Sequence, residues 1–341
     1  MVTEARQEVG ISIVICTFNG VTRLEPTLNA ILGQQSTPQL QWELIIVDNA
    51  SLDRTADWCR EYLKQHSNGL IWRVVEELKA GLSYARMRGL HEAAYDWVLF
   101  CDDDNHLFPN YLKEATTVLQ KNPQVGALGG LGIALFEGQK PSWWDRYSHS
   151  YAIGPQAPRD GKMDDYPAGL YGASTFYRKK PLLEFFLQGL TPIMSDRSKE
   201  ILSSGGDAEF ALLIQLKGYS LWYSGTLKFY HQLPEGRLNW SYYLRLKYGI
   251  ASGTALLFSY LPFFKSKQPN HLTFLRLYLT VWTKSVILYL YFLMKSKLFR
   301  NSYSQEEYDL GHSILRSKAI SFSKYFMRSF NHFKKVLILR T

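Results

Sequence analysis

The chain has 341 residues, 46% of them apolar and 20% charged, so it can bury a sizeable core and lies far from the composition of a disordered protein. Its formal charge of +9 is uneven: residues 240–341 hold 16 Lys or Arg against 3 Asp or Glu, a net of +13, which leaves −4 for residues 1–239. Three cysteines without metal-ligand spacing exclude a zinc or disulfide framework, and the opening MVTEARQEVG has no apolar signal core, so reduced thiols and a cytoplasmic location are expected.

In chain order, ISIVICT (11–17), WELIIVD (42–48), IWRVVEE (71–77) and WVLFCDD (97–103) are short β-rich runs, separated by segments of helical character. Such alternation predicts a mostly parallel sheet with helices on both faces. Ligands of these sheets bind beyond the carboxyl ends of the strands. Those ends read TFNG, VDNAS and CDDDN, three polar clusters at one predicted edge.

After VGALGGLGIALF (125–136) the pattern gives way to an aromatic, Gly/Pro-rich stretch over 137–170, of a length that is usually functional. Here Trp143 and Trp144 are candidates for an apolar stacking platform under a ligand, with core packing as the competing reading. STFYRKK then restores order, GGDAEFALLIQLKG predicts a short helix closed by Gly218, and LWYSGTLKFYH reads as a strand or hairpin. We place the domain boundary at 239/240, with residues 1–239 catalytic and residues 240–341 a helical, basic extension.

In the extension, FLRLYLTVWTKSVILYLYFLM is interrupted by Arg276 and Lys284, and its uninterrupted run SVILYLYFLM is shorter than the roughly 20 residues a bilayer requires. Beyond it, Leu315, Ala319, Phe322, Phe326, Phe330, Phe333 and Leu337 recur at helical steps, with Lys324, Arg328 and Lys335 on other faces. This pattern predicts an amphipathic helix lying on an anionic membrane, which would keep the chain peripheral on the inner face. Phenylalanines interleaved with the charge favour a lipid interface over nucleic acid as partner.

Nothing in packing explains three adjacent aspartates after a buried strand. In an extended segment Asp102 and Asp104 point to one side and Asp103 to the other. Two carboxylates on one side raise each other's pKa unless a cation lies between them, and oxygen ligands on a short loop suit Mg²⁺ or Mn²⁺. An acidic turn capping the next helix is the alternative.

VDNASLDRT, GLSYARMRG, FCDDD, GGDAEF and YHQLPEGRL occur in that order, and the set resembles family 2 glycosyltransferases with the GT-A fold over roughly residues 10–238. The resemblance implies a Rossmann-like, mostly parallel sheet and a metal-dependent hexosyl transfer from a nucleotide-diphosphate sugar. It implies that Asp102 and Asp104 form the metal-binding DxD signature and that His231 completes the metal shell. Asp48 would bond the uracil edge with Thr17 and Asn19 beside the base, which makes a UDP-sugar the expected donor. Arg86 would face the diphosphate, Arg237 would close over it, Gly172 would admit the donor sugar, and Asp103 would lie by the nucleotide while bonding local backbone or water. Asp207 aligns with the family's base and Glu209 follows it near the acceptor, although Gly206 stands where the family commonly has Glu and Met87 where it often has Asn. A glycan or lipid-linked acceptor, and an inverting role in cell-surface polysaccharide synthesis, complete the expectation.

Two other readings compete. Nucleotidyl transfer also uses aspartate-bound metal at such a sheet edge, but CTFNG lacks the glycine-rich basic loop it usually carries. A non-catalytic peripheral protein binding anionic ligands would account for the tail alone.

Overall fold

The computed structural model describes residues 9–35, 40–163, 169–194, 205–299 and 303–340. Two compact units divide the chain, Met1–Glu184 with Phe210–Pro234, and Phe185–Glu209 with Glu235–Thr341. The second unit therefore takes a segment upstream of the boundary expected at 239/240.

The first unit opens with β1 (Gly10–Thr17), α1 (Leu24–Leu32), β2 (Gln41–Asp48), α2 (Thr55–His66), β3 (Ile71–Glu76), α3 (Leu82–Glu92) and β4 (Trp97–Asp102). These four strands are parallel in the order β3-β2-β1-β4. Because β2 and β4 flank β1, the strand order reverses there, and a crevice at such a reversal is where ligands of these sheets bind. β1 is buried on both faces: Ile11, Ile13 and Ile15 enter one core. On the other side α3 lies so close that a Cβ on Gly89 would come within 2.3 Å of Val14 Cγ1.

A charge inside this core has its own partners. Glu43 of β2 is 2% exposed and accepts from Ser12 Oγ at 2.6 Å and the Ala94 N–H at 2.7 Å, while Arg73 pairs with its other oxygen. A buried carboxylate without such donors would cost several kcal/mol.

Beyond β4 come β5 (Asn105–Leu107), α4 (Tyr111–Lys121), β6 (Val125–Phe136), the single turn α5 (Trp144–Tyr147), β7 (Gly161–Lys162), β8 (Thr175–Arg178), α6 (Lys179–Leu187), α7 (Gly206–Leu216) and β9 (Ser220–Leu233). Their strands extend the sheet as β4-β8-β6-β9-β5, with β7 also on β9 and antiparallel pairs except β6 with β9. The segment read as a strand or hairpin is one 14-residue strand, β9, because β6 offers it a parallel partner along its length. α7 ends where Gly218 takes φ +84°, the left-handed stop a glycine supplies without strain.

The second unit is helical, with α8 (Trp240–Leu257), α9 (Leu261–Lys265), α10 (His271–Leu298), α11 (Gln305–Lys324) and α12 (Phe326–Leu339). The expected single terminal helix is two, broken at Tyr325, and its apolar face points inward. Phe322 and Phe333 are buried against Phe258, Phe274 and Tyr278 of the same unit. α10 reverses the other expectation. It runs unbroken through Arg276 and Lys284 for 28 residues and is, by length and composition alone, long and apolar enough to cross a membrane.

Candidate active site

Parallel register brings the three polar clusters together. Thr17 pairs with Asp48 across β1 and β2, and Cys16 with Asp102 across β1 and β4, so the strand ends lie at one edge. A shallow depression of 660 Å³ lined by Trp42, Ile71 and Tyr95 lies at the opposite ends of the strands, away from every candidate residue of this unit.

The aspartates do not alternate as in an extended chain, because β4 ends at Asp102 and residues 103 and 104 form a turn into β5. Each has its own partners. Asp102, 37% exposed at its side chain, faces the buried Arg86 guanidinium at 3.8 Å. Asp103 accepts from Thr17 Oγ1 at 2.7 Å and from Arg23 at 2.6 Å, while Thr27 donates to its carbonyl at 3.1 Å. Contrary to the sequence reading, its carboxylate is engaged by the side chains of Thr17 and Arg23 rather than by local backbone. Arg23 also binds the carbonyls of Phe18 and Asn19, tying the ends of β1 and β4 together.

Asp104 is 7% exposed and faces His231 Nε2 at 3.6 Å, across the antiparallel pair of β5 and β9. His231 Nδ1 lies 2.8 Å from the Tyr151 carbonyl, so it donates there and leaves Nε2 to accept or to ligate. Among the described residues no group of three or more His, Cys, Asp or Glu forms a complete metal cage. A carboxylate and an oriented imidazole nevertheless suit Mn²⁺ or Mg²⁺, which take their remaining ligands from water and phosphate. The donor set fits such an ion.

At the other end of the edge, Asp48 receives the Ser51 N–H at 3.3 Å and the Ser51 hydroxyl, which turns the chain sharply after β2. Asn19 has φ +51° and accepts from the Leu52 N–H at 2.7 Å. Asn49 donates to the carbonyls of Glu77 and Lys79 and accepts from the Gly81 N–H at 2.7 Å, joining the end of β2 to the segment between β3 and α3. Asp53 accepts from the Thr55 N–H at 3.0 Å and opens α2, as a helix-start residue does. Arg88 pairs with Glu92 at 2.9 Å on the helix surface.

Gly172 is buried in the turn before β8, where Tyr171 is held by Gln156 at 2.6 Å. Trp144 is 4% exposed and packs on Phe136 and Tyr151, so it is a core residue and not a sugar platform; Trp143 is half-buried beside it. Cys59 and Cys101 are buried, and burial pushes the Cys59 thiol up to about 12, so neither is a nucleophile at neutral pH.

In the second unit, Asp207 lies half-buried in the first turn of α7 and Arg237 in a short helical turn, Glu235–Arg237. Glu209 departs from its expected place near the acceptor. It is 0% exposed, and its oxygens accept from the N–H groups of Ile193 at 2.8 Å and Met194 at 3.0 Å and from the Tyr260 hydroxyl at 2.6 Å.

The description "Glycosyl transferase family 2" matches residues 12–186, just over half of the chain. Poly-beta-1,6-N-acetyl-D-glucosamine synthase of Staphylococcus epidermidis is 29% identical over 132 residues, covering 38% of this chain and 30% of the synthase. The poly(ribitol-phosphate) beta-N-acetylglucosaminyltransferase TarS of Staphylococcus aureus is 26% identical over 113 residues, 33% of this chain and 19% of that enzyme. The chain thus spans a third or less of these relatives. Among solved structures, residues 1–349 of TarS in complex with UDP-GlcNAc align with a TM-score of 0.53 at 14% identity, covering 94% of this chain and 92% of that one. GalNAc-T7 with UDP, GalNAc and Mn²⁺ aligns at 0.50 and 16% identity, covering 72% and 51%. These likenesses show a shared GT-A fold. With the family description covering β2 to β8 and the DDD turn, the chain belongs to glycosyltransferase family 2.

Proposed function

We propose that this glycosyltransferase moves an N-acetylhexosamine from its UDP donor to a hydroxyl of a cell-surface glycan or lipid-linked acceptor, with inversion at the anomeric carbon. The observation that supports the reading most is the convergence, at one sheet edge, of Thr17 and Asp48 with Asp102, Asp104 and His231. The names of the relatives, which act with N-acetylglucosamine, support the choice of sugar.

Asp48 accepts the imide N–H of uracil, with Thr17 and Asn19 beside the base. Arg86 supplies positive charge to the diphosphate, Arg237 adds to it, and Gly172 leaves backbone-close space for the donor sugar. Asp104 and His231, with Asp102, would hold Mg²⁺ or Mn²⁺. When bound, that ion neutralises charge on the departing diphosphate. Asp207 removes the proton of the attacking hydroxyl late in the reaction, a contribution worth about 10²–10⁴-fold. Inversion follows from a single displacement opposite the leaving group.

The extension serves as a membrane-surface anchor that keeps the enzyme on the cytoplasmic face. Two features support this: α10 exposes Leu279, Ile287, Leu290, Met294 and Leu298, and it carries Arg276, Lys284, Lys295 and Lys297 with no carboxylate. An apolar row with cations and no anions is complementary to an anionic bilayer.

The test is a panel of UDP-sugars assayed for release of UDP with Mn²⁺ present, using wild type and Asp207→Asn. UDP-GlcNAc or UDP-GalNAc turnover by wild type, and loss of about 10²-fold or more in the variant with UDP binding retained, is expected. Wild-type turnover by Asp207→Asn would overturn the assignment of the base, and pyrophosphate as product would overturn glycosyl transfer by this site.

A further inference from the structure

We infer that Glu209 is a positioning residue for the base, and that the C-terminal helices hold it in place through Tyr260 and His332. The inference rests on the reading of Asp207 as base. Glu209 follows Asp207 by two residues in the first turn of α7, so whatever fixes one side chain fixes the backbone that carries the other. It is fully buried, with no water available to solvate it.

Among the partners of this carboxylate are three donors, the backbone N–H groups of Ile193 and Met194 and the Tyr260 hydroxyl at 2.6 Å, and His332 Nε2 lies 3.6 Å from the same oxygen as Tyr260. Tyr260 has one proton, and it goes to Glu209. Its remaining contact, His332 Nε2 at 2.8 Å, must therefore come from a protonated Nε2 that donates to the tyrosine oxygen. Burial lowers the His332 pKa to about 3, so the ring is neutral and carries its single proton at Nε2. The chain of donors runs from α12 through the short helical turn Phe258–Tyr260 to α7.

A second tether starts from the same helix. Arg328 of α12 donates to the Ile193 carbonyl at 2.5 Å, so residue 193 is held at its carbonyl by Arg328 and at its N–H by Glu209. A terminal helix that only anchored the enzyme would need neither contact. A general base, in contrast, loses rate steeply when its position drifts by about an ångström. The extension is thus part of the catalytic framework, acting on the base through Glu209 without touching substrate.

The experiment compares Glu209→Gln, Tyr260→Phe and Tyr278→Phe in the full chain, measuring kcat and donor KM for UDP-GlcNAc together with Tm. Tyr278 is the control: its buried hydroxyl donates to the Phe322 carbonyl at 2.6 Å in the same unit and has no contact with Glu209. Tyr260→Phe and Glu209→Gln are expected to lower kcat by about tenfold or more at unchanged donor KM, whereas Tyr278→Phe lowers Tm comparably and leaves kcat at the wild-type value. If Glu209→Gln does not fold, Tyr260→Phe decides alone. Wild-type kcat in Tyr260→Phe, or an equal loss in Tyr278→Phe, overturns the positioning role while an inactive Asp207→Asn leaves the base standing. An active Asp207→Asn brings down the base, and this inference with it.

Discussion

Asp103 resolves at the scale of single residues a problem posed by the sequence, why three carboxylates are adjacent. Its charge is balanced within the protein by Arg23, which leaves Asp102 and Asp104 as the acids turned to other partners. Arg23→Ala is expected to destabilise the first unit by about 1 kcal/mol, a modest figure because the pair is partly exposed, and to raise donor KM by loosening the DDD turn. Urea denaturation and steady-state kinetics check both; unchanged midpoint and KM would remove Arg23 from the framework. The placement of Asp48 and Asp104 at strand ends was legible because each follows a short apolar run, whereas His231 was singled out only through the family resemblance. Arg23 and Tyr151 were not: each meets its partner across eighty residues of sequence, and neither belongs to a recognisable motif.

Among elements, β1 to β4 were legible because each is a short apolar run bounded by turn residues, which leaves little choice of period. The terminal helices were misread for a related reason. Their phenylalanines recur at helical spacing, but spacing cannot say whether an apolar stripe meets lipid or another helix. Here Phe322 and Phe333 are buried within the unit, while α10, apolar nearly all round, exposes the side left over. Ile287→Glu with Met294→Glu is therefore expected to abolish co-sedimentation with anionic vesicles at low salt, whereas Phe333→Ala lowers Tm by opening a core cavity. Equal vesicle binding by wild type and the double variant would exclude the α10 face.

For the whole molecule, the buried His332 links stability to pH. Its folded pKa lies near 3 against an ordinary 6.5, lowered first by burial and then by Lys335 and Arg328. The unfolded chain therefore binds a proton below pH 6.5 that the folded chain does not take up until about pH 3. Stability from this group is complete above pH 6.5 and is lost as pH falls, at up to about 1.4 kcal/mol per unit. Thermal melts between pH 7 and pH 4 are expected to show a steeper acid decline in wild type than in His332→Asn; parallel curves would contradict it. The charge asymmetry of the sequence marks only a boundary near 239/240. It gives no sign that residues 185–209 group with the helical unit, since their partners lie far along the chain.

The most direct measurement of the central claim is calorimetric titration of UDP into wild type, Asp104→Ala and His231→Ala, each with MnCl₂ and with EDTA. Mn²⁺ is expected to tighten UDP binding to wild type about tenfold or more, and both substitutions to erase that gain without unfolding the protein. Equal UDP affinity in wild type with Mn²⁺ and with EDTA would contradict the account.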